Sequence, residues 1–282
     1  MIDLHTHTTA SDGSLTPTEL VRLAVGKKLE ALAVTDHDTI DGITEALTAG
    51  THHGLDVVPG IEISAEYSGG TLHILGYYID IDNKQFCTKI AELQRARADR
   101  NPKIVKKLQA LGMSIEMEDV VAEAGGGQIG RPHFAQALLK KGYVRSAREA
   151  FERFLAKGAA AYCEKFRFQP HDAIACITDA GGIAVLGHPS SLNCPDQVSL
   201  EAAVQAMVDM GIRGIEAFYS DHTAEQTRHY IALARKYHLL ITGGSDFHGH
   251  AINGICLGTG RGNLNIPYEC LAALKQALGR NA

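Results

Sequence analysis

The sequence of 282 residues predicts an α/β barrel-like fold with parallel strands, and three observations carry that prediction. Short apolar runs alternate with longer amphipathic stretches, residues of metal-binding type fall where those runs end, and one helix-rich segment interrupts the alternation. Such alternation builds a sheet covered by helices. Strand ends that converge on one rim can then unite side chains distant in sequence.

The elements follow in order. Ile2-Asp3-Leu4 leads into His5-Thr6-His7, and Thr16-Pro17-Thr18-Glu19 supplies an N-cap, a first-turn proline and an acid for a helix. Ala31–Thr35, Leu55–Pro59 and Leu72–Tyr77 read as buried strands, with a helix over 38–53 between the first two. Between about 84 and 165 the rhythm breaks into short helices at 84–100, 102–111, 116–124, 132–141 and 146–157. Gly112, Gly125-Gly126-Gly127, Gly142 and Gly158 act as stops. Beyond it, helices at 170–181, 199–211 and 223–238 alternate with strands at Gly182–Leu186, Gly214–Phe218 and Leu239–Thr242. The division expected is a first barrel part over 1–98, a helical insertion acting as a lid over 99–164, and a second barrel part over 165–282.

Composition narrows the function. With 27 basic and 32 acidic side chains the net charge is −5, so no global field favours duplex DNA or other sequence-independent binding to duplex nucleic acid. Six cysteines without a Cys-x-x-Cys pair indicate neither a zinc ribbon nor a disulfide framework. The chain enters at once on His5 and His7, leaving no room for a cleavable leader, and no apolar run approaches bilayer length. A cytoplasmic protein without a membrane partner is expected. No Gly-x-Ser-x-Gly elbow supports a serine hydrolase. Gly125-x-Gly127-x-x-Gly130 follows a helix rather than a strand, so it reads as a turn and not as a dinucleotide fingerprint.

The chemistry lies in a scattered set of ligand-type residues: His5, His7, Asp12, His37, Glu62, His73, His188, Asp246 and His248. A lone His-x-His can simply decorate one face of a strand. Here it is followed by Thr35-Asp36-His37-Asp38, Gly60-Ile61-Glu62, Gly187-His188-Pro189 and Ser245-Asp246-Phe247-His248, each at a strand end, with His73 inside a strand. Imidazole and carboxylate suit manganese, zinc or iron, and the set is too large for one ion. Asp36 and Asp38 read either as groups orienting these ligands or as a helix cap, and lack the spacing of a calcium loop.

In this order the motifs resemble the PHP (polymerase and histidinol phosphatase) family of metal-dependent phosphoesterases, over the first 80 and last 120 residues. The resemblance implies a distorted (β/α)7 barrel of the PHP type with a helical insertion domain, and two to three divalent ions, manganese first, with zinc or iron as alternatives. It assigns His5, His7, Glu62 and Asp246 to a first ion, Asp12, His37 and His248 to a second, and Glu62, His73 and His188 to a third. Ile129-Gly130-Arg131-Pro132-His133-Phe134 and Arg97-Ala98-Asp99-Arg100-Asn101 resemble the members acting on 3′,5′-nucleoside bisphosphates or short RNA. By that resemblance Arg100, Asn101, Arg131 and Phe134 contact substrate, together with Asp12 and His37.

The function implied is removal of the 3′-phosphate from a small nucleotide. The alternatives are 5′-to-3′ exoribonuclease action on short RNA, histidinol-phosphate-type hydrolysis, and a noncatalytic metal-stabilised module. Several residues keep two readings. The basic cluster Arg95, Arg97, Arg100, Lys103, Lys106 and Lys107 is either a solvated helix face or a cationic lid; Arg131 is an anion ligand or a helix start; His222 is a proton donor to the leaving oxygen or a surface residue.

Overall fold

A computed structural model describes residues 1–124, 129–249 and 254–280. Seven strands form one sheet in sequence order: β1 (Ile2–Asp3), β2 (Ala31–Val34), β3 (Asp56–Ala65), β4 (Leu72–Tyr77), β5 (Ile183–Leu186), β6 (Gly214–Tyr219) and β7 (Leu240–Gly244). Backbone hydrogen bonds from Leu4 to Gly243 (3.1 Å), from Asp246 to His5 (2.9 Å) and from His7 to Phe247 (2.9 Å) bring the first strand back to the last. The α/β barrel expected from the alternation is therefore present.

Strand period two separates inside from outside. Ala31 and Ala33 of β2 join Ile2, Val58, Leu75, Tyr77, Ile183 and Val185 in one inner cluster. Leu32 and Val34 face the other way, onto the helices α1 (Pro17–Gly26) and α2 (Ile43–His53). Thr16 caps α1 with a reciprocal box to Glu19, as the motif predicts.

One expectation is corrected: β4 runs antiparallel to both β3 and β5. The 66–71 connection is far shorter than the dozen or so residues of a parallel crossover, so the chain turns back as a hairpin. The reversal explains why His73 lies within a strand rather than after one. It stands at the start of β4, opposite Ser64 near the end of β3, and so shares the rim. β3 also runs six residues past Pro59, carrying Glu62 inside the strand.

The interruption comprises α3 (Lys84–Ala110), α4 (Met117–Ala124), α5 (Arg131–Lys140) and α6 (Ala147–Ala150), the last running into a wider π-type turn at Phe151–Leu155. The stop at 125–127 lies outside the described residues, as does part of the Gly125-x-Gly127-x-x-Gly130 turn. Where two helices are expected at 84–100 and 102–111, α3 is continuous through Pro102. Leu93, Arg97, Arg100, Asn101, Ile104 and Leu108 stay on one buried face at helical spacing. That in-phase burial outweighs the proline's missing hydrogen bond, a cost of about 3 kcal/mol. The domain boundary expected at 98/99 thus falls inside a helix. Phe86, Ile90 and Leu93 pack into the barrel's outer core, whereas Ile104, Val105 and Leu108 belong to the insertion's own core.

After the insertion come α7 (Pro170–Asp179), α8 (Gln197–Asp209) and α9 (Ala224–Lys236), then α10 (Tyr268–Ala277), to which the sequence pattern assigns no element. α10 places Cys270, Leu271 and Leu274 against the inner cluster. Among the described residues no helix is long and apolar enough to cross a membrane.

Candidate metal centre and anion cavity

The rim begins with a buried scaffold. Asp3 accepts hydrogen bonds from Ser245 N (2.9 Å), Ser245 Oγ (2.5 Å) and Gly258 N (2.8 Å), fastening β1 to the exit of β7. Its complete burial pushes the carboxyl's pKa up despite these donors. Asp36 accepts from Thr8 N (2.7 Å), Thr8 Oγ1 (2.7 Å) and Ser11 Oγ (2.6 Å), which fixes the turn that carries Asp12. Of its two expected roles, Asp36 fills the orienting one. Gly244 cannot bear a side chain, since a Cβ there would come within 2.1 Å of His5 Cβ.

On this scaffold the nine ligand-type side chains converge. Ligand atoms of His7, Asp12, His37 and His248 lie within 4.8 Å of one another, as do those of His5, His7 and Asp246, of His5, Glu62 and His188, and of His37, Glu62 and His73. Glu62 is at the centre. Its Oε2 lies 2.8 Å from His37 Nδ1, 3.3 Å from His7 Nε2 and 3.4 Å from His5 Nε2, and its Oε1 lies 2.5 Å from His73 Nδ1 and 3.0 Å from His188 Nε2. Asp246 Oδ1 lies 3.0 Å from His7 Nε2 and 3.4 Å from His5 Nε2.

The donor set fits divalent cations. Nε2 of His5 and His7, Nδ1 of His37, Oδ1 of Asp12 and Oε2 of Glu62 are buried and lack a hydrogen-bond partner. Leaving such groups unsatisfied costs about 1–3 kcal/mol each. Divalent cations held among these clustered atoms would satisfy them, since imidazole nitrogens and carboxylate oxygens are the ligands such ions take.

Further residues, absent from the expected set, aim these groups. Glu216 on β6 accepts from His5 Nδ1 (2.9 Å) and from the His188 backbone N–H (2.7 Å). A second-ring-nitrogen bond of this kind fixes tautomer and ring plane. The Tyr219 hydroxyl donates to Asp246 Oδ2 at 2.9 Å, and burial together with Asp246 carries its phenol far above the usual range. Asp38, His188 and Asp246 take positive φ of 54°, 22° and 56°. Backbone of this type costs about 1–3 kcal/mol per residue and is held only by its surroundings. Glu216 is a charge inside the apolar run Gly214–Phe218, the one signal that could have disclosed it.

Above the rim lies a cavity of about 420 Å³ between barrel and insertion. Asp12, His37 and His73 stand on one wall; Arg97, Arg100, Arg131, Lys165 and Arg167 stand on the others. Within the basic cluster, Arg95, Lys103, Lys106 and Lys107 face solvent, whereas Arg97 and Arg100 turn inward. Burial, then the charges of Arg97, Arg131 and Arg167, lowers the Arg100 pKa to about 10. Arg131 donates to Leu155 O at 3.1 Å and lies over the rings of Phe151 and Tyr162, so it is anchored rather than swinging free.

Three expected site residues lie elsewhere. Phe134 is completely buried in the insertion core with Leu138 and Leu155 and does not line the cavity. Asn101 donates to Ile129 O at 3.2 Å and accepts from Arg100, outside the cavity wall. His222 is buried, donates from Nδ1 to Ala217 O at 3.0 Å, and packs between Tyr219 and Tyr230. It is in none of the four ligand groupings.

A family profile for the PHP domain matches residues 3–161. The 5′-3′ exoribonuclease Rnm of Escherichia coli K12 is 35% identical over 248 residues, covering 87% of this chain and 84% of that protein. The 3′,5′-nucleoside bisphosphate phosphatase of Chromobacterium violaceum is 30% identical over 248 residues, covering 88% and 87%. A Bifidobacterium adolescentis crystal structure, provisionally described as a metal-dependent phosphoesterase, superposes with a TM-score of 0.86 at 29% identity, covering 98% of this chain and 95% of that one.

Proposed function

Because this chain belongs to the PHP family and is a metal-dependent phosphoesterase, we propose that it removes the 3′-phosphate of nucleoside 3′,5′-bisphosphates, leaving the 5′-monophosphate. The observation that carries this reading is the cavity itself, lined by Asp12, His37 and His73 of the ligand cluster and by six cationic side chains, Lys157 among them. A substrate with two separated phosphates matches that division. One anion belongs on the ligand wall and the other on the arginines, whose planar forks bond two oxygens at once.

The ions would be held by His5, His7, Glu62 and Asp246, by Asp12, His37 and His248, and by Glu62, His73 and His188, with manganese as the cation proposed. When bound, such ions activate water and neutralise phosphate charge. The chain's own part is to hold those ligands rigid through Asp3, Asp36, Glu216 and Tyr219, and to receive the second phosphate on Arg100, Arg131 and Arg167.

A second reading, stepwise removal of 5′ nucleotides from short RNA, is favoured by the likeness to the Escherichia coli exoribonuclease. Both reactions break the bond to a 3′-oxygen. Turnover of adenosine 3′,5′-bisphosphate against a short 5′-phosphorylated RNA, both in manganese, separates them. The bisphosphate is expected to be the better substrate by kcat/KM, and failure on both defeats the nucleotide assignment. Arg131→Ala is expected to raise KM for either substrate roughly 10- to 100-fold, the size of one lost charge-assisted contact of about 1.5–3 kcal/mol. An unchanged KM would remove Arg131 from the anion site.

A further inference from the structure

Hydrolysis of a ribose ester needs a proton for the departing 3′-oxygen, and none of the groups considered so far supplies it. His222 is turned into the α9 side of the barrel, and His188 and His248 lie inside the ligand cluster. Lys165 is different. It follows the insertion, lines the cavity, and has a side chain only 11% exposed. Its Nζ donates to Asp38 Oδ2 at 2.6 Å and to Ser64 Oγ at 2.7 Å. Arg97 also bonds that Asp38 oxygen, and Ser64 stands directly across the sheet from His73.

We propose that Lys165 is the proton donor to the leaving oxygen: an ammonium has three N–H bonds, Asp38 and Ser64 take two, and the third remains for the substrate. In the reaction a bond forms from a water oxygen to phosphorus while the bond from phosphorus to the 3′-oxygen breaks. Lys165 gives a proton to that oxygen, the water releases one to solvent, and the neutral amine regains one from solvent.

The surroundings suit the task. Burial, then the Arg97 charge, draws the Lys165 pKa down from the usual lysine range to about 7, against the pull of Asp38. Arg100 adds repulsion from α3, while Arg131, Lys157, Arg167, Asp12, Glu66, His37 and His73 are the other titratable and charged residues lining the cavity. A general acid works best with a pKa near the working pH. The neutral amine left after transfer is favoured by the same guanidinium groups. The inference rests on the phosphoesterase reading, and holds for the bisphosphate and the RNA alike.

The test uses the leaving group. An alkoxide needs a proton, whereas p-nitrophenolate departs without one. Lys165→Met is expected to lower kcat on adenosine 3′,5′-bisphosphate roughly 10²- to 10⁴-fold, the usual weight of a general acid. On p-nitrophenyl phosphate the loss should stay below about tenfold, with metal content unchanged. Equal losses on both esters, or a rise in KM alone, would reduce Lys165 to a phosphate anchor and overturn the proposal. Lys165→Arg guards against misfolding, because it keeps the cation and its donors but cannot release a proton at working pH. Full nucleotide turnover by that variant would equally defeat the idea. If wild-type protein hydrolyses the aryl ester but no nucleotide, only the substrate assignment fails, and glycerol phosphate replaces the nucleotide as the alkyl arm. A readout free of turnover is acetylation of Lys165 across pH, followed by mass spectrometry. An amine that reacts as an ordinary lysine would also overturn it.

Discussion

Glu216 shows how a residue outside the ligand set can govern it. Its two oxygens hold His5 by the ring and His188 by the backbone, so one carboxylate orients ligands contributed by the segment after β1 and by the turn after β5. Glu216→Gln keeps the shape and removes the charge. It is expected to weaken metal binding roughly 10- to 100-fold, the usual weight of a group behind a ligand. Competition with a chelator measures this, and an unaltered affinity would mean that His5 is aimed by packing alone. At this scale the sequence is legible where chemistry is unusual for its place. Histidines and acids at strand ends announce themselves. Phe134 does not, because an apolar residue before Ala135, Ala137 and Leu138 belongs to a helix core whatever motif precedes it.

Among the elements, α3 joins two cores. Its first half packs on the barrel and its second half on the insertion, with Arg97 and Arg100 between them facing the cavity. Pro102 is exposed on the opposite side. Replacing it by alanine relieves the interior-proline cost of about 3 kcal/mol, lost hydrogen bond and ring clash together, less about 1 kcal/mol from the freer unfolded chain, for a net gain of roughly 2 kcal/mol. Urea unfolding of Pro102→Ala should show that gain with KM unchanged. A rise in KM would instead show that the proline shapes α3 to aim Arg97. Proline is a reasonable sign of a helix end, which is why two helices are expected there. The continuous buried face, visible only once Arg97, Arg100 and Asn101 are known to turn inward, decides otherwise.

For the molecule as a whole, protons and metal ions compete for the rim. Burial opposes charge on His7, yet the neighbouring carboxylates of Asp246 and Glu62 raise its pKa to about 10. Burial opposes charge on His5 and His188 as well, and carboxylates led by Glu216 for the first and Glu62 for the second raise both. His73, drawn down by burial to about 4, is already neutral at pH 7. An imidazolium must lose its proton to ligate, so metal uptake at pH 7 should release protons and tighten as pH rises toward 10. Calorimetry in two buffers of different ionisation enthalpy reads the release, and equal apparent enthalpies would contradict it. Barrel, insertion and ligand order are legible in the sequence because each leaves a periodic or chemical trace. The cation wall is less so, since Lys165 and Arg167 reach it from a segment with no motif, through tertiary folding alone. The backward course of β4 has a last consequence. The 66–71 turn borders the cavity, where Glu66, Tyr67, Gly70 and Thr71 form part of its wall. Gly70 is fixed there, since a Cβ would meet Ser191 O at 2.3 Å, but the strands on either side hold their register without help from the turn's length. The extent of the cavity is therefore adjustable by lengthening or trimming one hairpin tip, and the ligand-bearing rim can be inherited unaltered while the space above it changes.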